Sequence, residues 1–383
     1  MRFLLPALLL AGAPAAAAPP VVAWEVAAEP GLRIEHFTQG LEHPWGLAFL
    51  PDGRLLVTER PGRLRLVGKD GKPGAPIAGV PKVAAVGQGG LLDVALHPEF
   101  RKNGLVYLTW AAGTAEANQT VVGRARLSGN ALVDLQELWR NPVAKRGGAH
   151  FGSRLLFLPD GHLLVSVGDG GNPNVKLNGE NIRNQAQNPR AFFGKTIRLT
   201  ADGRPAPGNP GVADPAKGWD PRLFTIGHRN IQGLALDSAT GNVYATEHGA
   251  QGGDELNRLA AGQNHGWPLV TFSREYSGEA ISRETSRPGM TDPLSVWTPS
   301  IAASGLAVYR GTAIPALDGA LLAGGLMSSD VRVIRFGADG RPGPERRIAI
   351  DERVRDVRVG PDGLVYVLTD EAEGRILRLR PAR

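Results

Sequence analysis

The chain has 383 residues, 42% of them hydrophobic and 21% charged, with 51 glycines, 30 prolines, no cysteine and a formal net charge of +6. The lack of cysteine excludes disulfides, thiol nucleophiles, cysteine-ligated zinc and iron–sulfur clusters. The surplus Lys and Arg are scattered without a basic run, which argues against nucleic acid and leaves a small anionic ligand open.

Residues 1–18 read as a secretory leader. Arg2 gives a positive start, Phe3 to Ala11 is apolar, and Ala15 to Ala18 offers small-residue cleavage sites. The apolar run falls short of the roughly 20 residues of a spanning helix. The mature chain is therefore expected to start near Ala18, to be exported to the periplasm or secreted, and to be soluble without a stable membrane anchor. Residues 19–383 are expected to form one domain.

A loose repeat then runs along the chain: an apolar alternation, Pro-Asp-Gly, and a second apolar alternation. It appears around Pro51-Asp52-Gly53, Pro159-Asp160-Gly161 and Pro361-Asp362-Gly363. Proline fixes the turn entry, aspartate bonds the turn backbone and glycine accepts positive φ, so two strands reverse as a hairpin. Variants fill the gaps. Leu92 to Leu96 leads through Asn103-Gly104 to Val106-Tyr107-Leu108. Leu234 to Leu236 leads through Thr240-Gly241 to Val243-Tyr244-Ala245. Leu306 to Tyr309 leads to Leu321-Leu322-Ala323. Six such units without long helical patterns predict an all-β fold, a six-bladed β-propeller of four-stranded antiparallel sheets. A β-sandwich would not need so many repeated hairpins. The polar insertions at 172–190 and 205–220 are expected as long loops on the ligand-binding face.

Dense polar, glycine-rich strings mark the same chain: GQGGLLDV (87–94), His150 to Leu155 followed by Asp169 after the next hairpin, GHRNIQGL (227–234), EHGAQGGDELN (247–257), Asn264 to Pro268, and RVRDV (353–357). A histidine beside a strand is most often a surface or capping residue. His150 nevertheless precedes a hairpin that could return Asp169 to its imidazole, fixing the tautomer and raising its basicity. Arg229 and Asn230 could bind a carboxylate or carbonyl, or Arg229 could pair with an acid of a neighbouring blade. Arg353 and Arg355 share one strand face and need an anion or paired acids between them; Asp351, Glu352 and Asp356 are the nearby candidates. Gly249-Ala250 with Asp254-Glu255 could offer hard oxygens to calcium, or form a plain turn in which Asp254 caps a short helix.

Together these strings resemble the soluble aldose and glucose dehydrogenases that use pyrroloquinoline quinone (PQQ), from LEHPW (41–45) to Leu377. The resemblance implies a six-bladed propeller with PQQ over its axis, calcium as a second cofactor, an aldose substrate oxidised to a lactone, and an external electron acceptor. It implies His150 as general base with Asp169 as its orienting partner. Gln88, Arg229, Asn230, Tyr276, Arg353 and Arg355 match cofactor contacts. The carbonyls of Gly249 and Ala250 match the calcium that bridges to PQQ, and Glu255 with the His265 carbonyl a structural calcium. Many members carry a lysine where this chain has Met327, which cannot supply that charge. Ala250 and His265 replace a proline and a tyrosine at positions that would bind metal through backbone oxygen. A monomer or homodimer is expected. The alternatives are a calcium-dependent lactonase on a similar propeller and a binding propeller that has lost the quinone.

Overall fold

The computed structural model describes residues 18–171 and 175–382. The expected leader lies outside the described residues, except for Ala18.

The Pro-Asp-Gly turns form as their chemistry requires. Gly53, Gly161 and Gly363 take φ of 87°, 78° and 75°. The preceding aspartates Asp52, Asp160 and Asp362 accept from the backbone N–H two residues on, at 3.0, 3.0 and 3.1 Å. Each turn reverses the first strand of a blade into its second.

Six sheets result. Blade one is Pro44–Phe49, Leu55–Glu59, Arg63–Val67 and Pro73–Pro76; blade two is Leu91–Leu96, Leu105–Gly113, Asn118–Ser128 and Ala131–Arg140. Blade three is Leu155–Phe157, Leu163–Val167, Lys195–Leu199 and Leu223–Ile226; blade four is Ile231–Leu236, Val243–Glu247, Asp254–Leu259 and Ser295–Trp297. Blade five is Ala303–Val308, Leu321–Gly325, Asp330–Ile334 and Arg346–Ala349; blade six is Val354–Val359, Val365–Thr369, Gly374–Pro381 and, from the other end of the chain, Leu32–Leu41. That last strand pairs antiparallel with Gly374–Pro381 and closes the ring. Val21–Val22 and Ala27–Ala28 add short parallel strands to the outer edges of blades four and five. The first strands contact one another in succession around the axis.

The core is divided among the blade interfaces. Six apolar clusters each join two neighbouring blades, as Val94 and Leu56 do between two and one, or Val357 and Val331 between six and five. A sheet with two apolar faces is stable only when both are covered, and the ring supplies a neighbour on each side.

Because first and second strands run antiparallel, the entry to every first strand and the exit from every second lie at one end of the ring. His43, Gln88, His150, Arg229 and Arg353 precede first strands, while Arg60, Asp169, His248, Met327 and Asp370 follow second strands. This converts residues scattered over the whole chain into one face. The 175–190 insertion leaves a second strand and so starts from that face. The 205–220 insertion does not: it joins Lys195–Leu199 to Leu223–Ile226 and leaves its blade at the opposite end, against expectation. Among the described residues no helix is long and apolar enough to cross a membrane.

Candidate active site

An axial cavity of about 330 Å³ opens on that face. Gln88, Arg353 and Arg355, expected from the resemblance as cofactor contacts, line it together with Trp45, Arg60, Gln232, His248, Met327 and Asp370. Arg355 is paired, but not with the acids nearest in sequence. Its guanidinium binds Asp370 and donates to Gln232 Oε1 at 3.0 Å. Asp356 follows Arg355 in the strand, so its side chain points the other way, to Arg154 at 3.1 Å and Arg358 at 2.8 Å. Glu352 meets Arg375 instead. Arg355 and the nearby Arg60 hold the Asp370 carboxyl far below the usual carboxylate range despite its burial.

His150 and Asp169 stand beside this cavity, both buried. His150 Nδ1 meets Asp169 Oδ1 at 2.6 Å. Gly171 N donates to the same oxygen at 3.0 Å, and Trp267 Nε1 to the other at 2.9 Å. A carboxylate that accepts at Nδ1 keeps the proton there and leaves Nε2 as the base. Among the described residues Nε2 has no hydrogen-bond partner. Gly168 is required here, since a Cβ on it would lie 2.2 Å from the His150 carbonyl oxygen. Gln88 Oε1 accepts from His150 N at 2.9 Å, so one residue both lines the cavity and holds the imidazole loop. Burial, then the Arg229 cation, push the His150 pKa below 6.5, with Asp169 opposing.

Arg229 donates to the carbonyls of His248, at 3.2 Å, and Gly249. The Gly249 carbonyl, expected from the resemblance as a calcium ligand, is thus taken up by a guanidinium. Asn230 is fully buried; its Oδ1 accepts from Gly152 N at 3.1 Å while Nδ2 has no partner among the described residues. Asp254 begins a strand and caps no helix. Its carboxylate accepts from Gly249 N at 2.8 Å and Ser300 Oγ at 2.8 Å, tying the Gly249-Ala250 loop down.

Glu255 and His265 come together through Asn257, whose Nδ2 donates to Glu255 Oε2 at 3.1 Å and whose Oδ1 lies 3.3 Å from His265 Nδ1. Asn257 also reaches Glu247 Oε1 at 2.8 Å. Burial, and then the neighbouring Glu247, push the Glu255 pKa well up; burial pushes Glu247 to about 7. A void of about 10 Å³ lies between Arg229, Glu247, Gly249 and Glu255, room for a water or a bare ion. Among the described residues no group of three or more His, Cys, Asp or Glu side chains is arranged to hold a metal, so any metal here relies on carbonyls as well. Tyr276 stands apart. It is 62% exposed on the 275–278 turn and is not among the cavity-lining residues.

Sequence reading alone did not assign roles to Trp45, Arg60, Gln232, His248, Trp267 or Asp370. Trp45, Gln232, His248 and Trp267 lie inside the strings already singled out, so their strings were the available signal. Arg60 and Asp370 lie in plain turns, and only the rule that second strands exit toward the site could have found them.

The sequence model for the glucose/sorbosone dehydrogenase family matches residues 41–378. The aldose sugar dehydrogenase YliI of Escherichia coli is 37% identical over 363 residues, covering 93% of this chain and 94% of its own. The crystal structure of the soluble aldose sugar dehydrogenase of Escherichia coli in its apo-form superposes with a TM-score of 0.85 at 36% identity, covering 92% of this chain and 100% of its own. A PQQ-bound aldose sugar dehydrogenase from Streptomyces coelicolor gives 0.72 at 28% identity, over 92% and 99% of the two chains. The chain is a member of the glucose/sorbosone dehydrogenase family of oxidoreductases.

Proposed function

We propose that this protein oxidises aldoses at C1 to lactones, with PQQ and calcium as cofactors and an external electron acceptor. The observation that carries the proposal is a His–Asp pair with an open Nε2 beside an axial cavity lined by guanidiniums and amides. A planar tricarboxylate quinone asks for that donor set. The partnerless Asn230 Nδ2 and the Nε of Arg355, likewise buried without a partner, are donors waiting for acceptors. A lactonase of the calcium-cage type would ask for converging Asp, Asn and Glu around the axis, whereas among the described residues Asp370 is the one acid lining this cavity and it is bound to Arg355.

When bound, the quinone supplies the two-electron acceptor and calcium the Lewis acid that polarises it. Gln88, Asn230, Arg353 and Arg355 hold and orient the cofactor. The Gly249 and Ala250 carbonyls would hold its calcium, and Arg229, which donates to the Gly249 carbonyl, would contact the cofactor. Glu255 and the His265 carbonyl hold a second, structural calcium, which relieves the crowding of Glu247 and Glu255. His150 Nε2 takes the proton of the anomeric hydroxyl, and Asp169 stabilises the imidazolium that forms. Trp267 and Gly171 fix Asp169 so that it keeps its orientation through that change. Tyr276 reaches the cofactor only if its turn folds inward. Residues 1–18 act as an export leader, which places the reaction outside the cytoplasm.

The test is reconstitution of purified protein with calcium and PQQ, followed by dye reduction with a panel of aldoses. Sugar-dependent reduction that needs both additions is expected. Equal dye reduction without PQQ, or none with it, contradicts the proposal.

A further inference from the structure

Among the described residues three guanidiniums, of Arg60, Arg353 and Arg355, line the axial cavity, and Asp370 is its one lining carboxylate. Asp370 is taken by Arg355. Arg60 and Arg353 have no acid partner among the described residues, and each is steadied by a carbonyl: Gly87 at 3.0 Å for Arg60 and Leu326 at 3.3 Å for Arg353. Burial pushes the Arg60 pKa down and the guanidiniums of Arg355 and Arg353 add to this, with Asp370 opposing. Like charges held in one cavity repel unless an anion stands among them.

The chain has made room for Arg60. A Cβ on Gly90 would lie 1.9 Å from the Arg60 carbonyl oxygen and 2.7 Å from its Cγ, and Gly90 takes φ of 141°. The Arg60 carbonyl accepts from Leu91 N at 3.0 Å, so the entry to blade two is fastened directly onto Arg60. The string Gly87-Gln88-Gly89-Gly90 therefore has two tasks. It brings Gln88 to the cavity, and it seats Arg60 there with the Gly87 carbonyl as its anchor.

We infer that Arg60 is a cofactor-binding residue that contacts a carboxylate of PQQ from the blade-one side of the cavity. This rests on the quinone reading above. It gives the cavity two cations on different blades that no acid contacts directly among the described residues, Arg60 on one and Arg353 on six, facing an anion between them. Met327 lines the same cavity and brings no charge, which leaves more of the binding to Arg60.

The experiment is a titration of the full apo-protein with PQQ in excess calcium, read by calorimetry and by quenching of tryptophan fluorescence, since Trp45 lines the cavity. Arg60→Gln is expected to weaken PQQ binding about 10- to 100-fold, the loss of one charge-assisted contact. Its affinity should also fall less steeply with added salt than that of the wild type. Arg60→Lys should recover most of the loss, with apo melting temperatures alike in all three proteins. Equal loss in the Gln and Lys variants, or Arg60→Gln binding within about two-fold of wild type, overturns the inference. Failure of the wild type to bind PQQ is a different result, and it overturns the cofactor reading itself.

Discussion

His150 and His43 both precede the first strand of a blade, both take positive φ, 52° and 44°, and both present Nδ1 to an aspartate that follows a second strand. The Nδ1–carboxylate distances are 2.6 Å to Asp169 and 2.8 Å to Asp370. In each case the aspartate N–H also binds the carbonyl of an arginine before a first strand, Arg229 or Arg353, at 2.8 Å. The backbone device is the same, and what surrounds the carboxylate differs. Asp169 receives only neutral donors besides the imidazole, from Trp267 and Gly171. Asp370 is already bound to the Arg355 cation. A carboxylate whose charge is unspent can stabilise an imidazolium; one spent on a guanidinium has less to give. His43 is also more open to solvent, at 29% against 4% for His150. A third pair, His228 with Glu247 at 2.8 Å, has its Nε2 taken up by Thr225. The fold thus repeats a His–carboxylate clasp, and the neighbours distinguish the copy proposed as the base from the others.

The largest effect that sharpens this contrast is on turnover. His150→Ala should lower single-turnover reduction by glucose roughly 10²–10⁴-fold at saturating PQQ, with cofactor affinity nearly intact. His43→Ala should change turnover by well under 10-fold in the same stopped-flow assay. Asp169→Asn should approach the His150→Ala loss, because it disturbs the tautomer and the developing charge. The matching change at the other clasp, Asp370→Asn, should instead strike stability. It strands a buried Arg355 and should cost about 3–5 kcal/mol, measured as a lowered denaturation midpoint. Trp267→Phe removes one donor to Asp169 Oδ2 and should reduce turnover about 10-fold, measured with PQQ binding held saturating. The smallest effect is on acid stability. The folded-state pKa of His150 lies below 6.5, so below that pH the unfolded chain takes up a proton that the folded chain refuses, and stability falls with falling pH. His228, His248 and His265 are depressed in the same direction and share this slope. His150→Gln should therefore flatten the decline of melting temperature between about pH 6.5 and 5 only in part.

The hairpins were legible because Pro-Asp-Gly is a local signal whose geometry needs no distant partner. The strings around His150 and Asp169 were legible for a related reason: a hairpin between them returns one to the other. Partners set by ring closure were not. Nothing near Arg355 in sequence points to Asp370, and the adjacent Asp356 turned out to face the opposite side, toward Arg154 and Arg358. Strand Leu32–Leu41 completes blade six across the whole length of the chain, which no local alternation could announce. Arg60 belongs to no string that the sequence sets apart; its place after a second strand, and the close approach of Gly90 to it, emerge only in the folded ring. The 205–220 insertion resembles the 172–190 one in composition, and only strand direction separates the ends of the ring from which they leave.

The pH profile of single-turnover reduction tests His150 as the base most directly. PQQ-loaded wild type, His150→Ala and His43→Ala would be mixed with saturating glucose across the acid range. The depressed pKa of His150 predicts an acid limb centred below 6.5 in the wild type. That limb should persist in His43→Ala and vanish in His150→Ala, leaving a slow rate without an ionisation in this range. A limb that survives in His150→Ala and disappears in His43→Ala would assign the proton to the other clasp and contradict the account.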